Sequence, residues 1–234
     1  MRPIHPEKFS HIVFFTGAGM SAESGVPTYR GSGGIWHEYR WEEYACQAAF
    51  DKNPEKVLAF HELRRKSVLS CTPHQGHFVI TELQARHPRV TLVTQNIDGM
   101  HQRAGSKNVI ELHGSLWRLR CPVHGISEDI GPQYKHYACP HCGNWLRPDI
   151  TWFQDSMNLE VMEAAEKAIS SCDLFISIGT SGVVWPAAGF PEVAKKNGAY
   201  CIEINPEPSS LSHLFDQTIR ASAGKALQEL FPKE

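Results

Sequence analysis

Three groups of residues have types and spacings that could do chemistry. The first is Gly17-x-Gly19-x-x-Ala22, directly behind an apolar run at residues 11–15. A strand feeding such a turn makes a phosphate cradle. The first glycine permits the tight bend, the second lets backbone approach a pyrophosphate, and the small third residue lets helix pack on strand. The helix N-terminus then receives the negative charge. A dehydrogenase would add an acidic residue about 20 positions on; Glu38, Glu42 and Glu43 lie near that distance, but none ends a convincing second strand. The turn therefore suggests a dinucleotide site of a different arrangement. The second group is Cys121, Cys139 and Cys142, clustered with histidines in a loop-like stretch. That pattern suits a metal site in a reduced compartment better than a disulfide framework. Cys46, Cys71, Cys172 and Cys201 sit alone in apolar or mixed segments and read as small buried hydrophobes. The third group is His61 and Arg64, three apart on a predicted helix and so on one face. With Arg65 and Lys66 beside them, a solvated basic face is the plain alternative.

These groups need elements to hold them. Short runs rich in Val, Ile and Phe at residues 13–15, 90–93, 174–178 and 200–204 read as strands buried on both faces, as a parallel sheet requires. Asn53-Pro54 predicts a helix running to about Leu69, and Thr72-Pro73 another to about Arg86. Residues 158–170 and 187–197 supply two more, the last closed by Gly198 as a left-handed cap. The alternation predicts an α/β fold, a doubly wound Rossmann-like parallel sheet in a single domain over residues 1–234. Residues 118–147 carry Gly, Pro, Cys and His with little helical or strand period, and read as a small inserted module.

Composition excludes some classes. With 23 Lys+Arg against 25 Asp+Glu, the chain has no basic excess with which to displace counterions from nucleic acid. No apolar run approaches the ~18 residues of a membrane helix, and residues 1–10 show no apolar signal core. The expectation is a cytoplasmic protein, monomeric, with neither nucleic-acid nor membrane partners.

Onward from Gly17 the chain resembles the sirtuins, NAD-dependent protein-lysine deacylases, in four blocks. The first continues from residues 17–21 through Ser24-Gly25-Val26-Pro27-Thr28-Tyr29-Arg30-Gly31, and the second is Thr94-Gln95-Asn96-Ile97-Asp98-Gly99-Met100-His101 with Ala104-Gly105. The third is Leu112-His113-Gly114-Ser115, and the fourth Gly179-Thr180-Ser181 with Val184, Pro186 and Ala187. The resemblance implies that NAD is a reactant rather than a hydride carrier. The acyl oxygen attacks the anomeric carbon of the nicotinamide ribose and nicotinamide leaves. A deprotonated ribose hydroxyl then attacks the imidate carbon, and water releases acylated ADP-ribose and free lysine. By the same resemblance His113 is the base, a suitable task for a group titrating near neutrality, while Asn96 and Asp98 orient ribose and nicotinamide. Taken alone, His113 is one of 13 histidines, and Asn96 with Asp98 could be an ordinary Asx-turn. The cofactor site implied comprises Gly17, Ala18, Gly19, Ser21, Thr28, Tyr29, Arg30, Trp36, Gln95, Asn96, Ile97, Asp98, Gly179, Thr180, Ser181, Asn205, Glu207 and Ala223. An ADP-ribosyltransferase or NAD glycohydrolase on that site is the alternative, against which the retained His113 argues.

The family also carries a structural zinc ribbon with two Cys-x2-Cys knuckles. Here the second is intact at Cys139 and Cys142, whereas the first reads Cys121-Pro122-Val123-His124-Gly125. Either the site has decayed or His124 is the fourth ligand. The shared frame Cys-Pro-x-ligand-Gly favours the ligand, and Cys3His zinc sites are ordinary; His136 and His141 remain alternatives. Sirtuins that remove acidic acyl groups carry Tyr-x-x-Arg where this chain has His61 and Arg64, with a small upstream residue matched by Ala45. On that resemblance Arg64 grips a distal carboxylate, and His61 is expected to become a cationic donor as pH falls from about 8 to about 6. Trp152-Phe153-Gln154-Asp155 stands where the family typically has Trp-Phe-Gly-Glu. That segment, with Phe153, and the one containing Val183 would hold an acyl-lysine peptide or protein between them as an added strand.

Overall fold

Strand alternation decides the layers. The structure, a computed structural model, describes residues 2–30 and 33–232; Gly31, which ends the first sirtuin-like block, lies outside the described residues. In chain order come β1 (Ile12–Thr16), β2 (Val90–Thr94), β3 (Val109–Glu111), β4 (Gly114–Cys121), β5 (Gly125–Glu128) and β6 (Arg147–Ile150). After them come β7 (Leu174–Ile178), β8 (Tyr200–Ile204) and β9 (Gln217–Ile219). The helices are α1 (Ile35–Glu38), α2 (Trp41–Tyr44), α3 (Gln47–Lys52), α4 (Pro54–Leu69), α5 (Gln75–Arg86), α6 (Met100–Arg103), α7 (Leu159–Ser170), α8 (Phe190–Lys196) and α9 (Ala223–Leu230).

Six parallel strands form one sheet in the order β3-β2-β1-β7-β8-β9. The two-residue period sends Ile12, Phe14, Leu92, Ile176 and Ile202 to one face, where Ile80 and Leu83 of α5 and Leu227 and Leu230 of α9 cover them. Val13, Phe15, Val93, Phe175 and Cys201 go to the other, under Ile169 of α7 and Phe190 and Ala194 of α8. The strand order reverses between β1 and β7. Ligands of open α/β sheets bind outside the carboxyl ends of the strands at such a point.

The smaller lobe is built differently. β5-β4-β6 form an antiparallel sheet, and Val57, Leu58 and Val68 of α4 pack with Leu116, Leu119 and Ile150. Its centre is Arg65, whose side chain is wholly buried. The guanidinium donates to Asp129 Oδ1 and O (2.6 Å each), Gly131 O (2.7 Å) and Leu116 O (3.1 Å), between the rings of Trp117 and Tyr134. Arg118 ties the lobes together, donating to Glu111 at the end of β3 (2.6 Å) and to Asp149 of β6 (2.8 Å).

Several expectations change. Residues 118–147, read as having little strand period, carry β5 and parts of β4 and β6 of an antiparallel sheet. Its strands alternate poorly because Arg118, Arg120 and Asp149 pair with one another across it. The helix expected from Thr72-Pro73 begins at Gln75, because His74 is its cap: His74 Nδ1 accepts from Gly76 N–H (3.0 Å), and His77 Nδ1 accepts from His74 N–H. The segment after Gly17 is a 3₁₀ turn, Ala18–Ser24, rather than an α-helix. The three-residue strands β3 and β9 are too short to show a period. No helix among the described residues is long and apolar enough to cross a membrane.

Candidate active site

A cleft of about 580 Å³ opens at the carboxyl ends of β1, β2, β7 and β8, between the parallel sheet and the smaller lobe. Its floor is a crossing of bare backbone. Gly17 N–H donates to Ile178 O and Gly19 N–H to Gly179 O, both at 2.9 Å. A Cβ on Gly17 would lie 2.8 Å from Gly179 O, and one on Gly19 would lie 2.7 Å from Gly179 Cα. Gly179 itself has φ +63°, so neither loop tolerates a side chain at the crossing. Such a cradle suits a pyrophosphate approached by backbone. Asn205, at the end of β8, donates to Thr180 O (3.0 Å), fixing the loop that carries Glu207.

The polar residues after β2 are fixed one by one. Asn96 N–H donates to Thr94 Oγ1 (3.0 Å), and its carboxamide donates to Gly17 O (2.9 Å), joining this loop to the glycine turn. The Asp98 carboxylate accepts from Met100 N–H (2.9 Å), while its carbonyl accepts from the Trp117 indole (2.8 Å). Burial holds the Asp98 carboxyl above the usual carboxylate range, opposed by the Met100 N–H and the Ser21 hydroxyl. His113 lies in the two-residue link between β3 and β4. The adjoining Gly114 has φ +77°, and a Cβ there would fall 2.0 Å from Asp149 O. His113 Nδ1 lies 2.9 Å from Gln95 O. A carbonyl can only accept, so Nδ1 carries the proton and Nε2 is the basic atom of a ring that lines the cleft. Burial lowers the pKa of His113, against the pull of the Gln95 carbonyl.

The other end of the cleft is aromatic. Trp36 stacks on Tyr29 and Phe60 and meets Phe153 edge-on, with Ala45 completing the wall. Arg64 lies over the Tyr29 ring (5.1 Å), with its Nε buried and unpartnered and no ion pair among the described residues. His61 corrects the sequence reading. It is buried, with Nδ1 donating to Val57 O (2.8 Å) and Nε2 accepting from the Trp152 indole (3.3 Å). Burial brings its pKa down to about 4, although the Val57 carbonyl pulls the other way. His61 is therefore neutral from pH 8 to pH 6 and has no spare donor. The expected pH-dependent grip on a carboxylate is overturned.

Most of the predicted residues meet in this cleft: Gly17, Ala18, Gly19, Thr28, Tyr29, Arg30, Trp36, Gln95, Asn96, Ile97, His113, Gly179, Thr180, Ser181, Asn205 and Glu207 of the catalytic and cofactor set, with Ala45, His61, Arg64, Phe153 and Val183 of the substrate set. Ser21 and Asp98 stand behind its wall, and Ala223 packs in the core between α9 and the sheet. Sequence reasoning missed Phe60, Met157, Trp185, Ser209 and Ser210. Phe60 sits on α4, which shows no apolar stripe. Trp185 stands two residues beyond Val183, a spacing that could have pointed to it.

Away from the cleft, Cys121, His124, Cys139 and Cys142 bring one ligand atom each within 4.8 Å of one another. His124 Nδ1 lies 3.6 Å from Cys121 Sγ and 3.5 Å from Cys139 Sγ. Burial opposes ionisation of the Cys121 thiol, but the Val123 and His124 amides and the His124 ring bring its pKa down to about 6. Three thiols and an imidazole in this grouping fit a closed tetrahedral zinc site. His136 and His141 lie outside the cluster.

A doubly wound sheet, a glycine crossing at its switch point, a histidine with its basic nitrogen at the crevice and a metal-ligating small lobe together define a nucleotide-using class of α/β protein. Within it, the chain belongs to the Sir2 family, whose profile matches residues 17–186. It is 44% identical over 227 residues to NAD-dependent protein deacylase 2 of Pyrobaculum aerophilum, covering 94% of this chain and 89% of the relative. It is 40% identical to the NAD-dependent protein deacylase of Aquifex aeolicus, covering 94% of each. Among solved structures, a Sir2 homolog–NAD complex aligns with a TM-score of 0.89 and 38% identity over 98% of this chain and 94% of that one. A Sir2–p53 peptide–NAD+ complex aligns at 0.82 and 25% identity, over 95% and 92%.

Proposed function

We propose that this protein is an NAD-dependent protein-lysine deacylase that accepts acidic, succinyl-type acyl groups as well as acetyl. The relatives named as deacylases support the activity. The observation that carries the acyl reading is Arg64, a guanidinium without an ionic partner at the aromatic end of the cleft that holds His113. The side chain is half-buried with its Nε enclosed and unpartnered, and a planar guanidinium matches a carboxylate with two parallel hydrogen bonds.

The glycine crossing, Arg30, Gln95, Asn96 and Asn205 would hold NAD, which supplies an electrophilic anomeric carbon and a nicotinamide leaving group. The protein's own tasks follow from its geometry. Asn96 ties the glycine turn to the loop after β2, so both halves of the cofactor wall keep one spacing. His113 accepts a proton at Nε2; its Nδ1–H stays on Gln95 O and fixes the tautomer. The aromatic wall excludes water from the acyl end. In the module at residues 118–147, Cys121, His124, Cys139 and Cys142 would hold zinc and supply all four ligands, a structural role.

Mass spectrometry of NAD incubated with acetyl-, succinyl- and glutaryl-lysine peptides tests the reading. Free lysine peptide with acylated ADP-ribose is expected. Nicotinamide released without peptide deacylation would point to the glycohydrolase alternative, and ADP-ribose left on protein to the transferase. Elemental analysis should find one zinc per chain, reduced in His124→Ala together with thermal stability.

A further inference from the structure

Gln154 is held in a conformation its residue type disfavours. Its φ is +70°, and among the described residues the only other non-glycine at positive φ is Asn108. Asparagine visits this region readily, whereas glutamine gains no local hydrogen bond there. The strain is imposed from both sides. Phe153 N–H donates to Ala45 O (3.0 Å), Asp155 N–H to Trp152 O (3.1 Å), and Trp152 N–H to the Asp155 carboxylate (2.9 Å). Arg147 pairs with that carboxylate and lies over the Trp152 ring at 3.9 Å. Glycine would fit this turn without strain. The glutamine side chain instead lines the cleft, is exposed, and makes no hydrogen bond or ion pair among the described residues. Strain kept at a cleft wall under a side chain that bonds nothing among the described residues points to a ligand in the cleft.

We infer that Gln154 is a substrate-recognition residue whose carboxamide hydrogen-bonds the main chain of the acylated peptide beside the acyl-lysine; this rests on the deacylase reading above. An extended peptide entering the cleft loses water from its backbone amides, and each needs a partner. A carboxamide offers one acceptor and two donors, the complement of a peptide group. Such recognition is indifferent to the acyl group and to the side chains flanking the lysine. It adds a grip on any acyl-lysine peptide, separate from the selection made by Arg64.

Gln154→Ala and Gln154→Gly separate the side chain from the strain. Both should raise the peptide KM about two- to tenfold, by the same factor for two peptides whose lysine is flanked by alanines or by polar residues. The KM for NAD and kcat should not move. Only Gln154→Gly should also raise the thermal midpoint, by about 2–4 °C, because only glycine relieves the backbone. An unchanged peptide KM in both variants, or a rise confined to one flanking sequence, would overturn the inference. If the native protein deacylates no peptide at all, it is the deacylase reading that has failed.

Discussion

The two lobes that enclose the cleft hold themselves together by different physics. The parallel sheet is interdigitated aliphatic and aromatic side chains on both faces, and its functional loops are shaped by glycine backbone. The smaller lobe has a thinner apolar core and is pinned by polar groups: Arg65 on three carbonyls and a carboxylate, Arg118 across Glu111 and Asp149, and the three cysteines with His124. Adjacent arginines show the contrast at closest range. Arg65 makes four hydrogen bonds inside the lobe, while Arg64 has no ionic partner among the described residues and lines the cleft. A charged residue in this lobe is therefore read by its partners, not by its type.

The sharpest test of that contrast is the largest. His113→Ala should lower deacylation turnover by about 10²–10⁴-fold while circular dichroism and the unfolding midpoint stay put, since among the described residues its side chain bonds only Gln95 O. Turnover retained by the variant would remove His113 as the base. Next comes Arg65→Ala. Removing one partner of a buried pair typically costs about 3–5 kcal/mol, to be read by urea denaturation. Stability within experimental error of the native chain would mean the lobe does not hang on its polar pins.

Arg64→Ala should do the opposite. Stability should change by no more than about 0.5 kcal/mol, whereas kcat/KM for succinyl-lysine falls by about 1.5–3 kcal/mol, roughly 10- to 150-fold, with acetyl-lysine little affected. The succinyl-to-acetyl ratio should stay flat between pH 8 and pH 6, because His61 titrates near 4. A ratio that climbs as pH falls would show that His61 becomes charged in the working enzyme.

A last test reads the burial of two histidines by acid. His77 and His101 meet edge-on in the core, one ring nitrogen of each unpartnered among the described residues, and burial brings their pKa values to about 2 and about 3. Their folded values lie below the unfolded 6.5, so their contribution is complete above pH 6.5 and is lost as pH falls toward those values. Stability should therefore fall as pH drops below about 6. Arginine pins do not titrate in that range. Unfolding midpoints measured from pH 7 to pH 4.5 should fall in step; a level profile would show that these rings are protonated in the folded chain.

Legibility followed the same division. The runs at residues 174–178 and 200–204 coincide with β7 and β8, and Asn53-Pro54 and Asn158 mark where α4 and α7 begin. Buried parallel strands and side-chain caps leave local, periodic marks. β4 to β6 left none, because arginine–aspartate pairing stands where apolar alternation would be. α9 buries a stripe of Ala223, Ala226, Leu227 and Leu230, but its eight residues are too few for the period to stand out in the sequence. The glycine turn was read as a helix start, since its spacing is the same whether the chain continues as α or 3₁₀.

At the site, the sequence by itself determined the chemical inventory. The glycine spacing, the Asn96 and His113 blocks and the paired knuckle frames depend on residue type and short separations, which the chain carries openly. Only the tertiary structure decided how each group is used. His61 and Arg64 share a helix face, yet Trp152, 91 residues from His61, takes the imidazole and leaves the guanidinium free. The strain at Gln154 comes from bonds to Ala45 and Arg147. Proton state, spare hydrogen-bonding capacity and backbone strain are properties of the environment, and that environment is assembled from residues distant in the chain.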